Sequence, residues 1–244
     1  MLAIVFSIVA TLLTFAAQAE VQSSWSKTKN VADDVVYEGH KFTFYCGCSY
    51  TSDGDNDGSG KPDLATCGYE KADKNKSRAD STEWEHIVPA SLMPVRQMAC
   101  WSDPASIPGC VSFSGNVMKG RACCEKASQA ARNLIFDLHN LAPSIGQVNA
   151  LRLNDRYGEI VGEERQFGIC TAEDTEGLFE PRDDERCDAA RVWLYMNWKH
   201  GVVIPDDELK MFIRWDRQDP VSAWERERDR RIIEAQGNGN PWVQ

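Results

Sequence analysis

Two short segments hold the side chains best suited to chemistry. The first runs Glu83-Trp84-Glu85-His86-Ile87-Val88-Pro89-Ala90 and sets a glutamate beside a histidine. The second, residues 137–149, supplies His139, Asn140 and Asn149. A carboxylate, a carboxamide and a neutral imidazole suit one task. Two oxygens hold a hard divalent ion, and the imidazole takes a proton from water. An unperturbed imidazole titrates near pH ~6.5, so it is largely free base at neutral pH. The pattern reads as metal-assisted hydrolysis of a phosphodiester. A Glu-His dipeptide alone carries little weight, because dipeptides are common and neighbours on a strand point to opposite faces. Glu85 and His86 can serve one site only where the strand ends or turns.

The elements that must position these residues follow from pattern. Residues 83–88 read as a strand stopped by Pro89. Asn140 and Asn149 are too far apart to share a helix face. A loop carrying Pro143 is expected between them, with Ser144 capping a helix through Tyr157 and Asn149 one to two turns in. The result is a strand pair feeding a helix. Upstream, residues 24–36 predict a helix with Ser24 as N-cap, and the alternation Lys41 to Tyr45 predicts a strand entering Cys46. Residues 52–60 read as a loop, and residues 102–120 as an irregular excursion rich in Pro, Gly and Ser. The last third is helical by period. Ala189, Val192, Trp193 and Met196 form one apolar face, and Leu209, Phe212 and Ile213 another. A final helix is expected from Pro220 to Gln236, closed by Gly237. No linker divides the chain, so the expectation is a single mixed α+β domain with a helix-rich C-terminal part.

Bulk properties narrow the setting. Residues 1–19 are uncharged, mostly apolar and end in Ala17-Gln18-Ala19, which predicts a cleaved signal peptide and a mature chain of residues 20–244. The stretch is short for a membrane anchor and lacks a basic stop, so no stable membrane association is expected. Nine cysteines in an exported chain point to disulfides. Cys46-Gly47-Cys48 and Cys123-Cys124 are not the spacings that structural zinc prefers. A net charge of −10 sits awkwardly with a polyanionic substrate unless basic residues gather on one face. Arg152 and Arg156, near the second segment, are placed to touch backbone phosphates.

The chain resembles the bacterial endonuclease I family of periplasmic and secreted non-specific DNases. The resemblance rests on six blocks in order: residues 44–48, 63–69, 78–90, 97–101, 137–149 and 224–243. It implies a ββα-metal (His-Me finger) motif in a disulfide-stapled, monomeric nuclease that cuts DNA, and RNA less readily, leaving 5′-phosphates. By position it makes His86 the general base, and Glu85 and Asn149 the ligands of one Mg²⁺. Arg121, three residues before Cys124, takes the place of the arginine that neutralises the scissile phosphate. His139 and Asn140 fall to supporting roles. The implied bridges are Cys46–Cys170, Cys48–Cys67 and Cys100–Cys124. Cys110 and Cys123, in a loop longer than the family's usual one, would close a fourth, unless Cys187 takes one of them. Where many relatives pair a cysteine in the Trp-Glu-Cys segment with one at the C-terminus, this chain has Arg226 and ends at Gln244.

Two features stand outside that pattern. Asp53-x-Asp55-x-Asp57-Gly58 begins like a Ca²⁺ loop, but its twelfth position is Leu64, so a solvated turn is expected and calcium is the alternative. Arg226, Arg228, Arg230 and Arg231 alternate with acids on the final helix, and a charged solvent face is expected there. Two other functions fit the sequence less well. A secreted calcium- or polyanion-binding module would not need Glu85, His86 and Asn149 together. A zinc hydrolase would need a triple of nitrogen and sulfur ligands that the chain lacks.

Overall fold

The computed structural model describes residues 21–54, 58–162 and 166–244. The expected signal segment, together with Asp55 and Asp57 of the acidic loop, lies outside the described residues. Near the N-terminus, helix α1 (Trp25–Val31) is capped by the Ser24 hydroxyl, which accepts from Lys27 N, and it widens into a π-helical turn over Ala32–Val36. Strands β1 (Tyr50–Ser52) and β2 (Gly60–Pro62) pair antiparallel on either side of the acidic segment.

The strand expected over Lys41–Tyr45 does not form. Only Phe42 makes a ladder contact, with Ser49, while Phe44 N bonds to Pro143 O. The cause is the turn that follows. Gly47 takes φ +67° and donates to Thr43 O, and the flanking cysteines bond in different directions.

The centre of the molecule is β3 (Thr82–His86) paired antiparallel with β4 (Leu141–Ile145), in register Glu85↔Ala142 and His86↔Leu141. Between them lie α2 (Ala99–Ser102), α3 (Gly120–Ala127) and α4 (Gln129–Ile135). Helix α5 (Gly146–Arg152) leaves β4 with no intervening loop. Pro143 and Ser144 are therefore strand residues, not loop and cap. Pro143 is tolerated because β4 pairs with one strand only, so its missing N–H breaks no second ladder. Helix α5 also stops early, at Leu153 with φ +53°, and Arg156–Tyr157 become strand β5. Strand β5 runs parallel to β7 (Leu178–Glu180), which pairs antiparallel with β6 (Glu173–Thr175).

Three helices complete the fold: α6 (Arg186–His200), α7 (Asp206–Asp216) and α8 (Ala223–Gln236). Helix α6 is buried on every side from Ala189 to Met196, not on one face, because it forms the axis of the main core with Tyr45, Tyr157, Phe179 and Phe212. On α7 the buried set is Met211, Phe212 and Trp215, and Ile213 is exposed. Helix α8 begins later than Pro220 because Ser222 and Glu225 make a reciprocal capping box, and it ends at left-handed Gly237. Its arginines are not a plain solvent face. Arg228 donates to the carbonyls of Leu138, His139 and Leu141, and Arg231 to those of Val36 and Glu38.

Disulfides join Cys46–Cys170, Cys48–Cys67, Cys100–Cys124 and Cys110–Cys123, leaving Cys187 buried and unpaired. Among the described residues no helix is long and apolar enough to cross a membrane.

Candidate active site

A cleft of about 880 Å³ opens where β3, the start of α3, α5 and α1 meet, and Glu85, His86, Arg121 and Asn149 all line it. Four residues from three separate stretches of sequence thus line one cleft. A smaller cavity of about 370 Å³, walled by His40, Trp224 and Arg228, reaches His139 but none of those four. The candidate chemistry belongs to the cleft.

His86 ends β3 and is buried. Its Nε2 lies 2.8 Å from Ile135 O. A carbonyl only accepts, so Nε2 carries the proton and Nδ1 is left as the basic nitrogen. The ring stacks on Trp25 at 5.3 Å between centroids. Burial, and then the positive charge of Arg121, lower its pKa to about 3. His86 is therefore neutral at any ordinary pH.

Glu85 is buried as well, and Tyr45 Oη and Arg152 Nη1 both donate to its Oε1. Both bonds fall on one oxygen, which leaves Oε2 for the cleft. Burial works to raise the carboxyl pKa, opposed by Arg152 and Tyr45. The expectation that Arg152 touches phosphate is corrected here. Arg152 is fully buried, bonds Glu85 and the carbonyls of His86 and Ile87, and lies over the Tyr157 ring. A guanidinium beside a buried carboxylate gains more from that partner than from solvent. Arg156 is likewise committed elsewhere, to Glu208 Oε2 at 2.6 Å, and does not line the cleft.

Asn149 is the fourth residue of α5, and its Nδ2 donates to Glu83 Oε2 at 2.8 Å. Arg121 stands in the first turn of α3, about two-fifths exposed, with Nε on Glu125 Oε1 at 2.8 Å and its guanidinium over Trp25 at 5.6 Å. Its position is fixed by the adjacent cysteines of α3, one bonded to Cys110 and the other to Cys100.

The supporting residues sit behind this wall. Asn140 is buried and clamps the chain just past His86, accepting from Val88 N and donating to Val88 O. His139 is buried with Nε2 on Asn238 O and its ring against Tyr195. Both hang from Asp137, whose carboxylate caps their turn and takes bonds from Tyr195, His200 and Gln236.

Sequence reasoning missed Trp25, Lys29 and Lys119, which line the cleft beside the four. Lys119 could have been found from its place just before Arg121. Trp25 and Lys29 lie some sixty residues upstream of His86, and no local pattern ties them to the site.

Comparison with known proteins supplies a last observation. The model of the family described as Endonuclease I matches residues 18–244. An extracellular deoxyribonuclease of Aeromonas hydrophila is 37% identical over 212 residues, covering 86% of this chain and 84% of its own. A periplasmic deoxyribonuclease of the same organism is 34% identical, covering 95% and 92% respectively. Endonuclease-1 of Buchnera aphidicola subsp. Acyrthosiphon pisum (strain APS) is 36% identical, covering 85% and 76%.

Proposed function

The chain belongs to the endonuclease I family, and on that premise we propose that it is an exported endonuclease hydrolysing the phosphodiester bonds of DNA with a divalent ion. The observation that carries the reading is the convergence of Glu85, His86, Arg121 and Asn149 on one cleft. The strand pair and helix that present them serve as a ββα-metal motif.

The oxygen donors fit magnesium. Glu85 Oε2 and the Asn149 amide oxygen are hard ligands, and a small ion of this kind keeps most of its water. Bound between Glu85 and Asn149, magnesium would supply positive charge to the oxygens of the phosphodiester under attack.

The protein's own residues do the rest. Neutral His86, held at Nε2 by Ile135 O, presents Nδ1 to take the proton of the attacking water. Arg121 neutralises the phosphate, and Lys29 and Lys119, which line the same cleft, contact the strand's other phosphates. Contacts of this kind touch only backbone, so cutting needs no base readout, and RNA is a poorer second substrate. Products carry 5′-phosphates. The four disulfides and the names of the relatives support action in the periplasm or medium.

Nicking of supercoiled plasmid by wild type and His86→Ala, each with magnesium and with EDTA, tests the reading. Wild type should nick only with the ion, and His86→Ala should be inert. Equal cutting by His86→Ala removes the base, and cutting in EDTA removes the metal. A wild type that leaves the plasmid supercoiled points instead to a binding module.

A further inference from the structure

Glu83 has no part in the chemistry above, yet three hydrogen bonds anchor its carboxylate at the cleft wall. Alternation along β3 puts it on the same side of the strand as Glu85, two residues on. Glu85 turns inward to Tyr45 and Arg152, whereas Glu83 stays about a quarter exposed at the cleft wall. Arg78 grips it with two donors, Nε to Oε1 at 2.8 Å and Nη2 to Oε2. The remaining donor is Asn149 Nδ2, on Oε2 at 2.8 Å.

Gly146 makes room for this arrangement. A Cβ on Gly146 would fall 2.7 Å from Arg78 O and 2.7 Å from Glu83 Oε1, so a side chain at the first residue of α5 would push the pair out of its seat. Gly146 N also donates to Ser81 O, tying the start of α5 to the segment before β3. The turn at Arg78, strand β3 and helix α5 are therefore locked around the Glu83 carboxylate.

A primary amide offers a donor at one end and an acceptor at the other, and a cation accepts only the acceptor. Which end faces the ion depends on what holds the other. We propose that Glu83 is a positioning residue that captures the Asn149 NH₂ and so turns the amide oxygen toward the metal, with Arg78 holding Glu83 in place. The proposal rests on the reading of Asn149 as a ligand. Partners of this kind behind a metal ligand are typically worth about 10–100-fold in affinity.

The test is direct Mn²⁺ binding to the full chain, read from the electron paramagnetic resonance of the free ion and needing no turnover. Glu83→Ala should weaken binding by about 10–100-fold. A reversed pair gives the sharper answer. Asn149→Asp faces Glu83 with a second carboxylate and should bind poorly. Adding Glu83→Gln restores a donor and acceptor in the opposite sense, and should recover Mn²⁺ binding relative to Asn149→Asp alone. If Glu83 were itself a ligand, the added Glu83→Gln would weaken binding further, and the positioning role would fall. Full Mn²⁺ affinity in Glu83→Ala, with Asn149→Ala unable to bind, would also overturn it. Unchanged binding in Asn149→Ala would instead sink the underlying assignment of the site.

Discussion

The indole of Trp25 stacks on the imidazole of His86, with centroids 5.3 Å apart and planes inclined by 20°, and the same indole carries the Arg121 guanidinium at 5.6 Å. One aromatic side chain from the N-terminal helix thus holds both the proposed base and the proposed phosphate ligand. An aromatic contact of this sort is worth about 0.5–1.5 kcal/mol, and each 1.4 kcal/mol is roughly tenfold in rate. Trp25→Ala should therefore lower the nicking rate at saturating metal by about tenfold, and Trp25→Phe should retain most of it. Full activity in the alanine variant would show that His86 is held by Ile135 O alone.

Arg152 makes a stability prediction in place of a binding one. It is fully buried against Glu85, and removing one member of such a pair strands the other charge. Arg152→Met should cost about 3–5 kcal/mol in urea unfolding. Adding Glu85→Gln removes the stranded charge and should return at least half of that loss, though not activity. A double variant no more stable than Arg152→Met would mean the cost comes from packing over Tyr157.

Acid sensitivity should trace to Asp137. Burial pushes its carboxyl up, but the bond from His200, the nearby His139 and the bond from Gln236 outweigh this and hold it well below the usual carboxylate range. A group held low in the folded state contributes stability above its unfolded pKa of about 3.9 and loses it as pH falls toward the folded value. Asp137→Asn should destabilise by about 3 kcal/mol at pH 7, and the gap to wild type should narrow in melts below about pH 4. A gap that stays constant with pH would show that charge on Asp137 is not what the network uses.

The bridges of α3 should matter to substrate as well as to stability. Cys110–Cys123 closes a short excursion, and opening a loop of that size costs about 3 kcal/mol. Its removal by Cys110→Ser with Cys123→Ser should also raise KM for DNA, since Arg121 stands two residues away. Removal of Cys48–Cys67 should lower the melting temperature and leave KM alone. Equal effects on KM would detach Arg121 from the bridges that flank it.

Much of this site was legible from local signals. Glu85-His86 at the end of a strand and the helix bearing Asn149 each follow from patterns a few residues long. What failed needed distant partners. Arg152 read as a free cation because its carboxylate lies 67 positions upstream, and no spacing rule joins the two. Pro143 read as a loop because proline opposes strands in general, while a two-stranded ladder with an open edge admits it. The alternation at Lys41–Tyr45 was genuine, but a turn tied by two bridges overrode it.

Lys29, Lys119 and Arg121 face Glu83, Glu85 and Glu125, so the lining is close to electroneutral in a chain of net charge −10. Such a slot exerts little pull on a polyanion until a divalent cation enters it. On the proposed function, ion and nucleic acid would be cooperative ligands, each raising the other's affinity by the same factor, as linkage demands. A chelator would therefore do more than halt turnover: it would loosen the enzyme's hold on the strand, and DNA in turn would help the protein scavenge its ion from dilute surroundings.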